Sequence, residues 1–256
     1  MKFFFSLLLA ASPILVFSQV GRQEIPLKNA SEIFIFGELS GVHITTGGTN
    51  TIAINHVLTV NGEDQPELRQ LDIIREGGMI KILEKQPTAE LIHDKFPGKG
   101  MNVAHGPNKK NSGDYGGKRV VAYLEIVVPA GVKISAETVY GELKAQDVTE
   151  MPMAKSKYGV VEVVFAANAR INGLDYESEY QSVDVTLPAN TSANLHLRTT
   201  FGSMFTDFDF PIKANMDQVG HGHGHKSQPI NAELNGGGRD INLRAKYQNI
   251  YLRKLE

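Results

Sequence analysis

The chain has 256 residues, no cysteine, 26 Lys plus Arg against 28 Asp plus Glu, and 41% hydrophobic residues. That apolar share is enough to build a core, while the missing thiols exclude disulfides, thiolate chemistry and cysteine-based metal sites. The balanced charge excludes the basic stripe that nucleic acid requires and the polybasic patch of an electrostatic membrane anchor.

Residues 1–18 read as a signal peptide. Lys2 supplies the positive start, and Phe3 to Phe17 is an apolar stretch broken by Ser12 and Pro13, too short for a spanning helix. Val16 and Ser18 suit the small positions of a cleavage site, which places Gln19 at the mature N-terminus. No Cys follows the apolar stretch, so no lipoprotein is made. No later segment is long and apolar enough to span a membrane after signal cleavage. The expected location is therefore exported: periplasmic, outer-membrane-associated or extracellular.

Residues 19–119 read as an N-terminal β region. Strands are expected at Ile33 to Phe36, Val42 to Thr45, Thr51 to Ile54, Leu71 to Ile74 and Met79 to Leu83, with turns at 47–50 and 76–78 and one helical turn within 62–71. A long loop runs from His93 to Lys118 and carries Lys95, Lys99, Lys109, Lys110 and Lys118 among glycines. It reads as solvated surface, with an acidic glycan or envelope polymer as its alternative use.

Residues 120–256 read as a strand-repeat region that opens with a strand from Val120 to Val128. Five segments align on an aromatic residue: Tyr140, Tyr158, Tyr180, Phe201 and Tyr247. The next residue is Gly141, Gly159, Gln181, Gly202 or Gln248. The third residue on is apolar (Leu143, Val161, Val183, Met204, Ile250). The second residue back is small (Thr138, Ser156, Ser178, Thr199, Ala245). Alternation slips by one residue across the aromatic, so each repeat reads as strand, sharp bend, strand. The glycines suit a bend by accepting positive φ, a freedom Gln does not share.

The aromatics are 18, 22, 21 and 46 residues apart. Short strands at a period of about 20 residues predict an all-β fold, a β-solenoid or β-helix-like stack in which each turn lies on the last. An antiparallel β-sandwich is the alternative. Extending the phase of Leu195, Leu197 and Leu243 places the five rings in the core as rungs, so Tyr180→Ala is expected to cost about 3–5 kcal/mol; the alternative is that they face outward as a sugar-stacking ladder, where the cost would be much less. FGELSGVHI from Phe36 is a weak copy of the repeat, and VPAG at 128–131 and LPAN at 187–190 are paired links whose Pro closes a strand.

The runs VPAGVKISAETVYGELKA, LPANTSANLHLRTTFGSM and NGGGRDINLRAKYQNIYLRK resemble the adhesin-type β-strand-repeat proteins of the DUF4097 class, related to the "head GIN" autotransporter adhesins. The resemblance spans Val120 to Lys254 well and Ile25 to Glu84 loosely. It lies in repeat texture, and this chain has Tyr or Phe where that family usually has a small polar residue. It implies a β-helix-like fold, export and no established enzyme activity. It brings no catalytic or binding residues with it.

Chemistry-bearing clusters are few. His221, His223 and His225 alternate with glycines in a loop inserted at about 211–230. In an extended segment they face one side and suit Zn, Cu or Ni as the only cofactor candidates. No neighbouring acid completes a ligand set, so the plainer reading is a flexible loop that binds metal adventitiously. Asp175, Glu177, Glu179 and Asp184 flank Tyr176 and Tyr180. Paired carboxylates cleave glycosidic bonds, but this alternation is that of a solvated strand face. No catalytic residues are assigned. The expectation is a non-enzymatic envelope or surface interaction module, with a glycan or an envelope protein as partner. The alternatives are a metal-binding protein using the His loop and a polysaccharide-acting β-helix enzyme.

Overall fold

The computed structural model describes residues 22–48, 50–88, 101–104, 118–210 and 229–256. The signal peptide, the His loop with His221, His223 and His225, and nearly all of the 93–118 loop lie outside the described residues.

In chain order the first strands are β1 (Arg22–Pro26), β2 (Glu32–Gly37), β3 (Gly41–Thr46), β4 (Thr51–Val60) and β5 (Glu63–Asp64). A single 3-10 turn at Pro66–Leu68 follows, within the segment expected to hold one turn. Next come β6 (Gln70–Glu76), β7 (Met79–Lys85), β8 (Met101–Ala104) and β9 (Lys118–Val128). The repeat region supplies β10 (Lys133–Thr138), β11 (Leu143–Val148), β12 (Met153–Ser156), β13 (Val161–Phe165), β14 (Leu174–Ser178) and β15 (Val183–Pro188). It ends with β16 (Ala193–Thr199), β17 (Met204–Thr206), β18 (Ile230–Leu234), β19 (Arg239–Ala245) and β20 (Ile250–Leu255). Every strand expected from the sequence is present, and no α-helix occurs among the described residues.

The strands form two mixed sheets, neither of them closed. One runs β1-β4-β9-β3-β11-β13-β15-β20-β17, with β5 on β4 and β8 on β9. The other runs β18-β16-β19-β14-β12-β10-β2-β7-β6. From β10 to β17 the chain alternates between the sheets, so each bend passes it from one to the other. Their inner faces share one core that includes Ile35, Val42, Ile134, Leu143, Val161, Tyr176, Val183, Leu195 and Ile250. This is the layering of the sandwich alternative, but the central pairs, such as β10–β12 and β11–β13, are parallel. Antiparallel pairing is confined to the ends, at β1–β4–β9, β4–β5, β6–β7 and β16–β18.

The weak repeat at Phe36 is in register with the strong ones: Gly37 pairs with Thr138 and Val42 with Leu143. The expectation that each turn lies on the one before it fails at the end of the chain. β19 and β20 enter between the β14–β15 turn and the β16–β17 turn, so sequence order and stacking order part company. The wide spacing between Phe201 and Tyr247 thus includes β18, which covers β16.

Candidate functional site: an exposed aromatic column

Each of the five crossings that carry a repeat aromatic is a bend of four residues. Val139–Glu142, Lys157–Val160, Glu179–Ser182, Lys246–Asn249 and Thr200–Ser203 each separate a buried small residue from the first residue of the next strand. The stack continues through the bends. Tyr158 N–H donates to Val139 O (2.9 Å), Tyr180 N–H to Lys157 O (3.0 Å), Tyr247 N–H to Glu179 O (3.3 Å) and Phe201 N–H to Lys246 O (3.1 Å).

The small residue before each bend explains itself. Ser156 Oγ accepts from Gly159 N–H (2.9 Å) and donates to Gly141 O one turn away (3.2 Å). Ser178 Oγ accepts from Gln181 N–H and donates to Gly159 O. Thr199 Oγ1 accepts from Gly202 N–H and donates to Gln248 O. One hydroxyl thus closes its own bend and ties it to the next, satisfying buried backbone groups that water cannot reach. Ala245 is the one member of the series that lacks the hydroxyl.

The bend glycines work differently from the expectation. Gly141, Gly159 and Gly202 are absent from the residues with positive φ, as are Gln181 and Gln248. Their need for glycine is spatial: a Cβ at Gly159 would strike the carbonyl oxygen of Gly141, and one at Gly202 that of Gln248. Positive φ is used elsewhere, as at Gly77 and Gly78 (57° and 82°) in the β6–β7 hairpin.

The aromatic residues themselves correct the sequence reading. They are not core rungs: Tyr180 is 39% exposed and Phe201 60%, and Tyr140, Tyr158 and Tyr247 are likewise exposed. The inward phase of Leu195, Leu197 and Thr199 ends where β16 ends, and the bend swings Phe201 outward before Met204 resumes the strand. The residues at the third position are inward as expected, with Leu143, Val161, Val183 and Ile250 fully buried. The inward tyrosine of this region is Tyr176, fully buried with its hydroxyl donating to Met151 O (2.7 Å).

Outside, the rings form one continuous column in the order Tyr140, Tyr158, Tyr180, Tyr247, Phe201. Centroids lie 5.4, 4.9, 5.1 and 5.2 Å apart, and the planes are within 17° of parallel. A second, shorter column of Tyr251 and Phe205 stacks at 5.2 Å on the outer face of the first sheet. Along the chain between the two columns lie Gln248 and Asn249 in one turn and Gly202 and Ser203 in the next, all neutral, while in the turn of Tyr180 the residues Gln181 and Ser182 lead to Asp184 in register with Tyr251. Asn249 Nδ2 donates to Tyr251 Oη (2.9 Å), and its Oδ1 accepts from Ser203 N–H (2.8 Å).

Charges around the columns are largely paired. Lys246 meets Glu179 at 3.1 Å and sits over the Tyr247 ring, contacts that hold its ammonium above the ordinary range. Arg253 grips Asp184. Arg244 binds both Asp175 and Glu177, and Lys155 also reaches Asp175. All four acids singled out in the sequence are therefore held in ion pairs on outer faces. Among the described residues no group of three or more His, Cys, Asp or Glu side chains is placed to hold a metal ion.

One polar cluster escaped the sequence reading. Glu84 is buried at the end of β7, where its Oε2 accepts from Leu39 N–H (3.1 Å) and Ser40 N–H (2.8 Å). Its Oε1 accepts from Ser40 Oγ and lies 3.2 Å from His56 Nε2. Burial pushes the Glu84 carboxyl up, but His56 and the Ser40 donors outweigh it and hold the pKa below the ordinary value of 4.5. The signal was present: Glu84 follows Ile80 and Ile82 in inward phase, and His56 follows Ile52 and Ile54. Because Glu84 stands between Ser40 and His56, the histidine does not activate the serine, and the cluster is a structural anchor for the first bend.

No protein-family model matches the chain, and no curated protein matches its sequence. Among solved structures, a "putative cell adhesion protein" from Clostridium sporogenes ATCC 15579 is similar with a TM-score of 0.60 at 12% identity, covering 91% of this chain and 98% of that one. A "putative adhesin" from Bacteroides fragilis NCTC 9343 aligns over 91% of this chain and 96% of that one, at 9% identity and a TM-score of 0.26. The likeness to the clostridial protein is one of fold. No helix among the described residues is long and apolar enough to cross a membrane.

Proposed function

We propose that this chain is an exported, non-enzymatic module of the cell envelope or surface, adhesin-like in use, and that its aromatic column is the surface by which it holds a partner. The column carries the reading. Aromatic side chains at a soluble surface lose the hydrophobic gain of burial, and a contiguous apolar strip of this kind marks an interaction site. Its regular repeat suits an extended partner. In this reading the alternating two-strand turns are a flattened β-solenoid capped by antiparallel strands, and the chain is kin to the DUF4097-type repeat proteins. The description of the clostridial neighbour as a cell adhesion protein agrees with this use.

The test is attachment. Fluorescently labelled mature protein is applied to intact bacterial cells and to isolated envelopes, wild type beside Tyr158→Ala/Tyr180→Ala/Tyr247→Ala. The wild type is expected to attach and the triple variant to lose most of that signal. Equal attachment by a folded triple variant would remove the column from the function.

A further inference from the structure

The geometry points to a ligand class: we infer that the strip between the two aromatic columns binds a neutral, extended polysaccharide, an assignment that rests on the reading of the column as a contact surface. The rings do not fully cover one another. Carbon layers in contact lie about 3.5–4.0 Å apart, whereas these near-parallel rings have centroids 4.9–5.4 Å apart. They are slipped like fanned cards, which leaves part of each face uncovered. Phe201, at the end of the column, is the most exposed at 60%.

A pyranose ring has an apolar C–H face and a rim of hydroxyls, so it needs aromatic surface and neutral donor–acceptor groups side by side. This surface supplies both. Tyr247 and Phe201 stand on one side and Tyr251 and Phe205 on the other. Gln248 lies between, with Gln181 at the same position of the adjacent turn, their side-chain amides without an intramolecular partner among the described residues. Asn249 is held in a fixed orientation by Tyr251 and Ser203.

Charge narrows the class. The cations beside the strip, Lys246 and Arg253, are already paired with Glu179 and Asp184, and Lys157 lies farther along the column, over the Tyr158 ring. An acidic polymer would have to break those pairs, while a neutral one leaves them intact. The rings of the long column recur at the spacing of neighbouring strands, about 4.8 Å, so successive sugars of a chain meet a ring at each rung, and the strip flanked on both sides by rings spans the two rungs Tyr247/Tyr251 and Phe201/Phe205. The fit is to a polymer lying along the stack, not to a single sugar.

Calorimetric titration of the mature chain with cellohexaose, laminarihexaose, mannohexaose and N-acetylchitohexaose, against hexagalacturonate as a charged control, tests this. At least one neutral hexasaccharide is expected to bind, more tightly than its disaccharide and more tightly than hexagalacturonate. Gln248→Ala, at an exposed position that leaves the fold intact, should weaken that binding about tenfold, and Tyr247→Ala should do the same or more. Absence of binding by every neutral hexasaccharide, or tighter binding of hexagalacturonate, would overturn the inference. Were column-dependent attachment to envelopes to persist in that case, the contact surface would stand with a protein as its partner. Were attachment also independent of the column, both readings would fall.

Discussion

Glu84 is a carboxylate enclosed by protein, and it is tolerable only because Leu39, Ser40 and His56 all serve it. Its pKa is lower folded than unfolded, so the unfolded chain takes up the proton first. The stability it contributes is complete above 4.5 and is lost as pH falls through the folded value. Urea unfolding from neutral to acid pH should show that loss, and Glu84→Gln should reduce the acid dependence while costing about 1–3 kcal/mol at neutral pH, where an amide donor faces two backbone N–H groups. An unchanged acid limb in the variant would take this role from Glu84. Gly159 makes a second residue-scale case. Any Cβ there meets the Gly141 carbonyl, so Gly159→Ala should destabilise by about 1–3 kcal/mol as the turns are forced apart. A neutral result in thermal melts would show that the turns are less tightly stacked. The sequence marked this glycine correctly but for the wrong physical reason, because close approach of another turn leaves no trace in local spacing.

Among the elements, the strands were legible because alternation is a local property. Ile33 to Phe36, Met79 to Leu83 and the residues three past each aromatic all turn their apolar side inward as their period demands. The aromatics were misread because phase was carried across a boundary where period two no longer holds. β16 stops at Thr199, and the residue two beyond it belongs to a corner, not a strand. The hydroxyl series at Ser156, Ser178 and Thr199 was visible as smallness alone. Its real work, one hydroxyl bridging two bends, joins groups 15 to 49 residues apart and emerges only when the turns stack.

For the whole molecule, the late entry of β19 and β20 places Tyr247 between Tyr180 and Phe201 and makes the column continuous. No reading in chain order would find that neighbourhood. The molecule therefore has two kinds of aromatic residue with separate tasks: Phe165 and Tyr176 fill the core between the sheets, while the five bend rings line an outer corner. That division underlies the contact surface and its proposed ligand, and it is open to direct test with two tyrosines four residues apart. Chemical unfolding of Tyr176→Ala and Tyr180→Ala should give unequal losses: about 3–5 kcal/mol for the buried ring and about 1–2 kcal/mol for the exposed one, which forfeits only its two ring contacts. A loss at Tyr180 as large as that at Tyr176 would put the column in the core and contradict the account.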